Sequence, residues 1–250
     1  MRVLLVVAHP EPQSFNGAMR DVAVATLASA GHAVDVHDLY ASAFNPVAGP
    51  GDVTQRADPQ KFDLGREQFH ASANGLLAGD IRTEIERLRA ADLLILQFPL
   101  WWYSVPAILK GWIDRVFAYG SIYAPGKTWD NGMMRGKRAM LAITTSAPAE
   151  TFLPDGKNGD LERMLWPLHA GVFGVCGYQV LPPFVAHAVA YITPEARARI
   201  LADYAGRLRG VLEDKPLYFH PLEDYGPDRR LRPDVEPRTP AQHRGPRRHW

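Results

Sequence analysis

Residues 97–117, QFPLWWYSVPAILKGWIDRVF, decide the fold of this chain of 250 residues. The apolar run Leu93–Phe98 predicts a strand buried on both faces, and it ends at Pro99. Three aromatic residues follow. Pro106 then opens the amphipathic helix Val105–Phe117, since proline is well tolerated in a first helical turn. A strand, a loop and a helix in this order are typical of one unit of a parallel α/β sheet.

The aromatic residues of this loop, Trp101, Trp102 and Tyr103, indicate a ligand. Large aromatic side chains are costly to leave in water, and ligands of open α/β sheets bind beyond the carboxyl ends of the strands. A flat, apolar ligand would cover them there. The alternative is that the rings only cap the core, because buried aromatic residues are usually packing residues.

The same alternation of strand and helix extends along the chain. The predicted strands are Val3–Val7, Ala33–Leu39, Asp92–Phe98, Lys137–Thr144 and Tyr178–Phe184. The predicted helices are Asn16–Ala30, Asp80–Arg89, Val105–Phe117, Asp160–Phe173 and a last one from Thr193 to about Glu213. Tyr40–Gly79 and Ala118–Arg135 are predicted to be irregular loops. The pattern predicts a flavodoxin-like α/β fold, a doubly wound five-stranded parallel sheet with helices on both faces.

Composition narrows the functional classes. The formal net charge is +1, which gives no reason to expect nucleic acid or an anionic membrane as a partner. The single cysteine, Cys176, excludes an intrachain disulfide and a CxxC metal site, and its apolar surroundings favour a small buried residue. The N-terminal apolar run is too short for a signal peptide, and no run approaches the ~20 apolar residues that span a bilayer. We therefore expect a cytoplasmic protein without stable membrane insertion.

The C-terminal residues differ in composition from the rest. Tyr225–Trp250 is rich in Arg and Pro and almost free of aliphatic residues. We therefore expect a flavodoxin-like domain over residues 1–220 and an extension over residues 221–250 that is extended or disordered. A basic tail can bind nucleic acid, but the interspersed Asp and Glu residues favour a solvated tail.

Two further loops carry polar groups to the predicted sheet edge. The first puts Ser14 and Asn16 at a helix start, where free N–H groups and the helix dipole attract an anion, and His9 precedes them. The alternative is that Ser14 only caps the helix and His9 is structural. The other loop, residues 144–148, has small residues that let backbone N–H groups approach a ring, although such residues are common in turns. A phosphate cradle, an aromatic wall and a polar rim together suit a flavin.

With these motifs the chain resembles the NAD(P)H:quinone oxidoreductase family of DT-diaphorase-like flavoproteins. The block Gln97–Phe117 is the stretch of this chain most specific to that family. The other matching stretches span most of residues 3–220 and are Ala8-His9, Ser14-Phe15-Asn16, Ile143-Thr144-Thr145, Gly159-Asp160, Leu165-Trp166-Pro167, Cys176-Gly177 and Pro216-Leu217-Tyr218-Phe219. The resemblance implies FAD, NAD(P)H as electron donor, and a homodimer whose site is built from both subunits.

The resemblance also implies a role for each matching position. The residues near the FAD phosphates would be His9, Phe15 and Asn16, beside Ser14. The residues that hold the isoalloxazine ring would be Leu100, Trp101, Trp102 and Tyr103, and those at its rim Thr144, Thr145, Ser146 and Ala147. Arg197 matches an arginine near the adenylate end of FAD, with a solvated helix face as the alternative. Tyr123 matches an aromatic residue that the partner subunit holds over the substrate.

Some positions depart from the family pattern. Phe152 and Asn158 stand where family members carry a tyrosine and a histidine thought to help stabilise the reduced flavin. Phe152 cannot donate a proton, and Asn158 can donate a hydrogen bond but cannot titrate. Ser146-Ala147 replaces a glycine pair, and Asp63 replaces a glutamine that reaches the partner's FAD. At these catalytic positions, stabilisation of the charge of the reduced flavin must then come more from backbone N–H groups and water.

The activity implied by the resemblance is a two-electron, ping-pong reduction of quinones or similar flat electrophiles by NAD(P)H through FAD. Two alternatives remain open. Trp102-Tyr103-Ser104 is similar to a branch of the family that serves as regulatory accessory subunits of glutathione-gated potassium efflux systems. The cofactor could also be FMN, in an azo- or nitroreductase.

Overall fold

A computed structural model describes residues 1–242. Its strands are β1 Arg2–Val7, β2 Ala33–Asp38, β3 Leu93–Pro99, β4 Arg138–Thr144, β5 Gln179–Val180 and β6 Phe184–Ala186. Its α-helices are α1 Phe15–Ser29, α2 Leu64–Asn74, α3 Gly79–Ala90, α4 Ala107–Val116, α5 Leu161–Leu168 and α6 Pro194–Arg209. The described strands form one sheet in the order β2-β1-β3-β4-β5 with all pairings parallel, and β6 also pairs with β4. The predicted flavodoxin-like parallel sheet is confirmed.

The strands separate two hydrophobic cores. Successive side chains of a strand point to opposite faces, so Leu4 and Val6 pack on one side while Val3 and Leu5 pack on the other. The first core is closed by α3, α4 and α5, and the second by α1 and α6. Both faces are covered, and for this reason the sequences of β1, β3 and β4 are continuous apolar runs rather than alternating ones.

The fifth predicted strand, Tyr178–Phe184, is divided in two. Its beginning pairs with β4 as β5, and its end pairs with β4 again as β6, which continues to Ala186. The interruption contains Pro182 and Pro183, which have no N–H to donate to a strand ladder. Strand pairing therefore stops there and resumes after the prolines.

The segment Tyr40–Gly79 is not irregular throughout, and the prediction of a loop is wrong where α2 forms. Asp63 caps this helix, since its Oδ1 accepts from the N–H of Arg66 at 2.8 Å, and Gly75 ends it with a φ of 69°. The helix docks through polar groups: Gln68 donates to the carbonyl of Asp114 at 2.9 Å and accepts from the N–H of Tyr119 at 3.1 Å. Contacts of this kind leave no apolar periodicity in a sequence.

The predicted helix Asp160–Phe173 changes type along its length. The α-helical part ends at Leu168, and residues His169–Gly174 form a π-helix. Pro167 lies inside the helix and has no N–H for the α-helical ladder. This proline occurs directly before the change of hydrogen-bonding pattern.

Residues 221–242 lie against the domain. The N–H of Leu222 donates to Asp130 at 2.6 Å. The buried imidazole of His220 donates from Nδ1 to Asp224 at 2.7 Å and accepts at Nε2 from the N–H of Arg238 at 3.1 Å. The predicted extended or disordered extension also includes residues 243–250, which lie outside the described residues. In the part of the chain that is described, no helix is long and apolar enough to cross a membrane.

Candidate active site

A cleft of about 420 Å³ lies at the carboxyl ends of β1, β3 and β4. It lies at the point where the strand order reverses, because β2 lies on one side of β1 and β3 and β4 lie on the other. All three loops predicted to meet there contribute. The lining residues are His9, Gln13, Ser14, Phe15, Asn16, Pro99, Leu100, Trp101, Thr144, Thr145, Ser146, Val189, Ala190 and Arg197.

Most of the predicted cofactor residues thus share one cleft. Ala147 borders it, because its carbonyl accepts a hydrogen bond from Oγ1 of the lining residue Thr145 at 2.7 Å. Trp102, Tyr103 and Tyr123 are not among the lining residues of the described chain. The individual roles of all these residues stay predictions.

The floor of the cleft rests on a buried amide pair, Asn16, which lines the cleft, and Gln97, which lies beneath it. Asn16 donates from Nδ2 to Oγ1 of Thr144 at 2.8 Å, and Gln97 donates from Nε2 to the carbonyl of Asn16 at 2.7 Å. The oxygens Oδ1 of Asn16 and Oε1 of Gln97 are buried without a hydrogen-bond partner within residues 1–242. An unsatisfied buried polar group costs about 1–3 kcal/mol, so these acceptors favour a ligand that brings hydroxyl or N–H donors. This donor requirement fits the hydroxyl groups of a flavin nucleotide.

Gln97 was not among the predicted site residues. It is fully buried and ends the apolar run of β3, directly before Phe98 and Pro99. A polar side chain at the carboxyl end of a central strand is the signal that could have identified it.

The start of α1 forms the anion-attracting wall of the cleft. Ser14 caps the helix, since its Oγ accepts from the N–H of Gly17 at 3.2 Å, and it lines the cleft as well, so its function is not limited by its position as a cap. The first turn of α1 holds no acidic residue that would compensate the helix dipole. Arg197, on α6, adds a positive charge to the same cleft. His9 has a structural contact, because its Nδ1 accepts from the N–H of Glu11 at 3.0 Å.

The aromatic loop extends from the cleft into solvent. Trp101 lines the cleft, whereas Trp102 is 95% exposed and Tyr103 is half exposed. Trp102 and Tyr103 have φ angles of 51° and 59°, in the left-handed region that bulky residues rarely adopt. The hydroxyl of Tyr103 donates to Oδ1 of Asn158 at 3.1 Å, which ties this loop to the loop after β4. Strained, exposed aromatic residues beside a cleft indicate a functional constraint rather than packing.

A histidine that the sequence did not indicate lies beside the predicted catalytic position Phe152. The ring of His187 is 5.6 Å from the buried ring of Phe152, and its Nδ1 lies 3.2 Å from Oγ1 of Thr145. Because the Thr145 hydroxyl donates to Ala147, it accepts from His187. Burial lowers the pKa of His187. Its position directly after β6, at the carboxyl edge of the sheet, is the signal that could have identified it.

Tyr123 and Cys176 lie outside the cleft. The ring of Tyr123 stacks on Tyr119 with centroids 5.2 Å apart, and burial raises its pKa. Cys176 is buried, which raises the pKa of its thiol to about 12 and confirms the structural interpretation. Within residues 1–242, no group of three or more His, Cys, Asp or Glu residues is arranged to hold a metal ion.

Comparisons with known proteins agree with this geometry. A family model described as flavodoxin-like fold matches residues 1–212. NAD(P)H dehydrogenase [quinone] 1 of Rattus norvegicus is 41% identical over 221 residues, which cover 88% of this chain and 81% of the relative. Ribosyldihydronicotinamide dehydrogenase [quinone] of Homo sapiens is 42% identical over 217 residues, covering 86% and 94%.

A solved structure from Klebsiella pneumoniae, of a candidate quinone reductase, superposes on this chain with a TM-score of 0.91. It is 38% identical, and the match covers 95% of this chain and 96% of that chain. The similarity therefore extends over nearly the whole length of both chains. The chain belongs to the flavodoxin-like family of NAD(P)H dehydrogenases (quinone).

Proposed function

We propose that this protein is a flavin-dependent NAD(P)H:quinone oxidoreductase that holds FAD in the cleft at the ends of β1, β3 and β4. The observation that carries this proposal is the convergence of an uncompensated helix start, an aromatic loop and unsatisfied buried acceptors on one cleft. When bound, the flavin supplies two-electron redox chemistry, and the protein supplies orientation and electrostatics.

The diphosphate of FAD is assigned to the start of α1. Backbone N–H groups and the dipole of this helix favour an anion, and the hydroxyl of Ser14 and the guanidinium of Arg197 line the same cleft. Phe15 and His9 would flank the phosphates. A hydroxyl group of the cofactor would donate to the unsatisfied Oδ1 of Asn16, which lines the cleft.

The isoalloxazine ring is assigned to the space between the aromatic loop and the loop after β4. Leu100 and Trp101 provide an apolar wall on one side. Ser146 and Ala147 provide backbone N–H groups on the other side. The hydroxyls of Thr144 and Thr145 beside them are already engaged with Asn16 and with the carbonyl of Ala147. Neither Phe152 nor Asn158 can carry a charge, so these N–H groups and water would stabilise the charge of the reduced ring.

A homodimer with a shared site is supported by two side chains. Trp102 is 95% exposed in the single chain, and Tyr123 lies outside the cleft of its own chain. A second copy that covers Trp102 and brings its Tyr123 over the cleft would enclose a flat acceptor between aromatic rings. Donor and acceptor would then use this slot in turn, which is the basis of a ping-pong order.

The test is the absorbance spectrum of the purified protein during anaerobic titration with NADPH, followed by menadione. We expect a yellow protein that NADPH bleaches and menadione recolours. Mass spectrometry of the released flavin distinguishes FAD from FMN. A colourless protein that takes up neither flavin would overturn the proposal, and flavin binding without quinone turnover would favour a regulatory role instead.

A further inference from the structure

A second cavity of about 420 Å³ lies apart from the cleft, and none of the residues that line it lines the cleft. It is bordered by α5, by the prolines between β5 and β6, and by residues 217–219 of the C-terminal segment. Its apolar lining residues are Leu161, Leu165, Trp166, Pro182, Pro183, Leu217, Phe219 and Pro240. The volume lies within the range of small-molecule sites, about 300–1,000 Å³.

Two aromatic rings form one wall of the cavity. The rings of Trp166 and Phe219 have centroids 5.7 Å apart and are inclined by 59°. Trp166 is half-buried and comes from α5, whereas Phe219 is held by the C-terminal segment, where the N–H of Leu217 donates to the carbonyl of Val180 at 2.7 Å. Rings arranged in this way contact an aromatic ligand through offset or edge contacts.

One buried polar side chain lines this cavity without a hydrogen bond to account for it. His169 is only 5% exposed, and its Nε2 has no hydrogen-bond partner among residues 1–242. It is the first residue of the π-helix, a local structure that often occurs at functional sites. Burial lowers the pKa of His169 to about 4, so its imidazole is neutral at pH 7. A neutral imidazole nitrogen can be satisfied by a hydroxyl group, which donates and accepts.

The charges near the cavity do not favour an ion. Glu162 and Arg238 are its charged lining residues, and both are exposed. The guanidinium of Arg238 lies 5.7 Å from the centroid of Tyr218, where it covers this ring. One positive and one negative charge at the rim give no net attraction for an anion or a cation. The apolar interior also disfavours a charged ligand.

We propose that this cavity binds a neutral aromatic alcohol, whose ring contacts Trp166 and Phe219 and whose hydroxyl forms a hydrogen bond with Nε2 of His169. The class includes phenols and hydroquinones. The proposal does not depend on the proposed redox function, because the two sites share no lining residue.

The test measures the binding of 2-naphthol to the full-length, flavin-loaded protein by calorimetry at pH 7. Excess menadione is present so that the cleft is already occupied. Two comparison ligands have the same ring system: naphthalene lacks the hydroxyl, and 2-naphthoate carries a charge. We expect 2-naphthol to bind about tenfold more tightly than either, the effect of one buried hydrogen bond. His169→Phe keeps the size of the side chain, and it should make the affinities for 2-naphthol and naphthalene equal.

A second variant tests the proposal independently, in case His169→Phe does not fold. Leu217→Trp should fill the cavity and abolish binding of 2-naphthol, whereas Leu212→Trp, at an exposed leucine outside the cavity, should not. A crystal structure with 2-naphthol should show the probe beside Trp166. Equal affinity of the wild type for 2-naphthol and naphthalene, binding that survives Leu217→Trp, or a cavity occupied by a second copy of the chain would overturn the proposal.

Discussion

Asn16 donates a hydrogen bond of 2.8 Å to Thr144, and both side chains are buried. Asn16 lies in the first turn of α1, and Thr144 is the last residue of β4. This hydrogen bond therefore joins the two polar loops that border the cleft. Gln97 completes the layer from β3, which lies between β1 and β4 in the sheet. The geometry of the cleft floor thus depends on three side chains that are distant in sequence.

Thr144→Val tests this layer with a side chain of nearly the same shape. The variant leaves Nδ2 of Asn16 buried without an acceptor, which should cost about 1–3 kcal/mol of unfolding free energy and weaken FAD binding roughly tenfold. Urea denaturation and quenching of flavin fluorescence measure the two effects. Thr83→Val is the matched control, because Thr83 lies on the exposed side of α3. Equal losses in the two variants would contradict the assigned role.

Gly17→Ala tests the close approach of two backbone segments at the start of α1. A Cβ at position 17 would lie 1.9 Å from the carbonyl oxygen of Pro12, so the loop between β1 and α1 must move. We expect a loss of roughly 1–3 kcal/mol and a protein purified with little flavin. Gly79→Ala is the control, since nothing lies within 4 Å of its added Cβ. Full flavin content in Gly17→Ala would show that the loop is not part of the site.

Trp102→Ala separates function from folding. The side chain is 95% exposed in the single chain, so its removal should leave the melting temperature of the flavin-free monomer unchanged. Flavin affinity and the KM for menadione should nevertheless both worsen, because the ring is proposed to cover the flavin and its acceptor. Leu212→Ala, at another exposed apolar residue, should change neither. Unaltered flavin retention and turnover in Trp102→Ala would rule out this assignment.

His187 should make stability depend on pH on the acid side of neutrality. Burial lowers its pKa below the ordinary value of 6.5, so the unfolded chain binds this proton first as the pH falls. The contribution of His187 to the free energy of unfolding is therefore fully present above pH 6.5. It decreases as the pH falls from 6.5 toward the pKa of the folded state. His187→Gln should flatten this decrease, measured by urea denaturation at pH 7.5 and 5.5. The variant will keep some dependence, because the pKa of His169 is about 4. An unchanged slope in His187→Gln would contradict the expectation.

The thiol of Cys176 should not react with alkylating reagents in the folded protein. Burial raises the pKa of its thiol to about 12, and only the thiolate is nucleophilic. Iodoacetamide at pH 8 should leave the native protein unlabelled and label one thiol in urea, as counted by mass spectrometry. Cys176→Ala should retain full turnover. Rapid labelling of the native protein would show that this region of the chain opens to solvent.

The sequence alone was enough for the sheet and for the cleft that the sheet positions. Apolar runs such as Leu93–Phe98 can only be stable when both faces are covered, and strands of this kind alternating with helices have few topologies open to them. The loops after β1, β3 and β4 follow from that order, and most of the predicted cofactor residues lie in one cleft for this reason.

Only the tertiary structure decided those features that depend on hydrogen bonds between residues distant in sequence. Helix α2 docks through Gln68, and the floor of the cleft depends on Gln97; neither leaves an apolar period in the sequence. The same is true of His187 beside Phe152 and of His169 in the second cavity. Periodicity records which faces lose contact with water, whereas the pairing of buried polar groups depends on which segments the fold brings together.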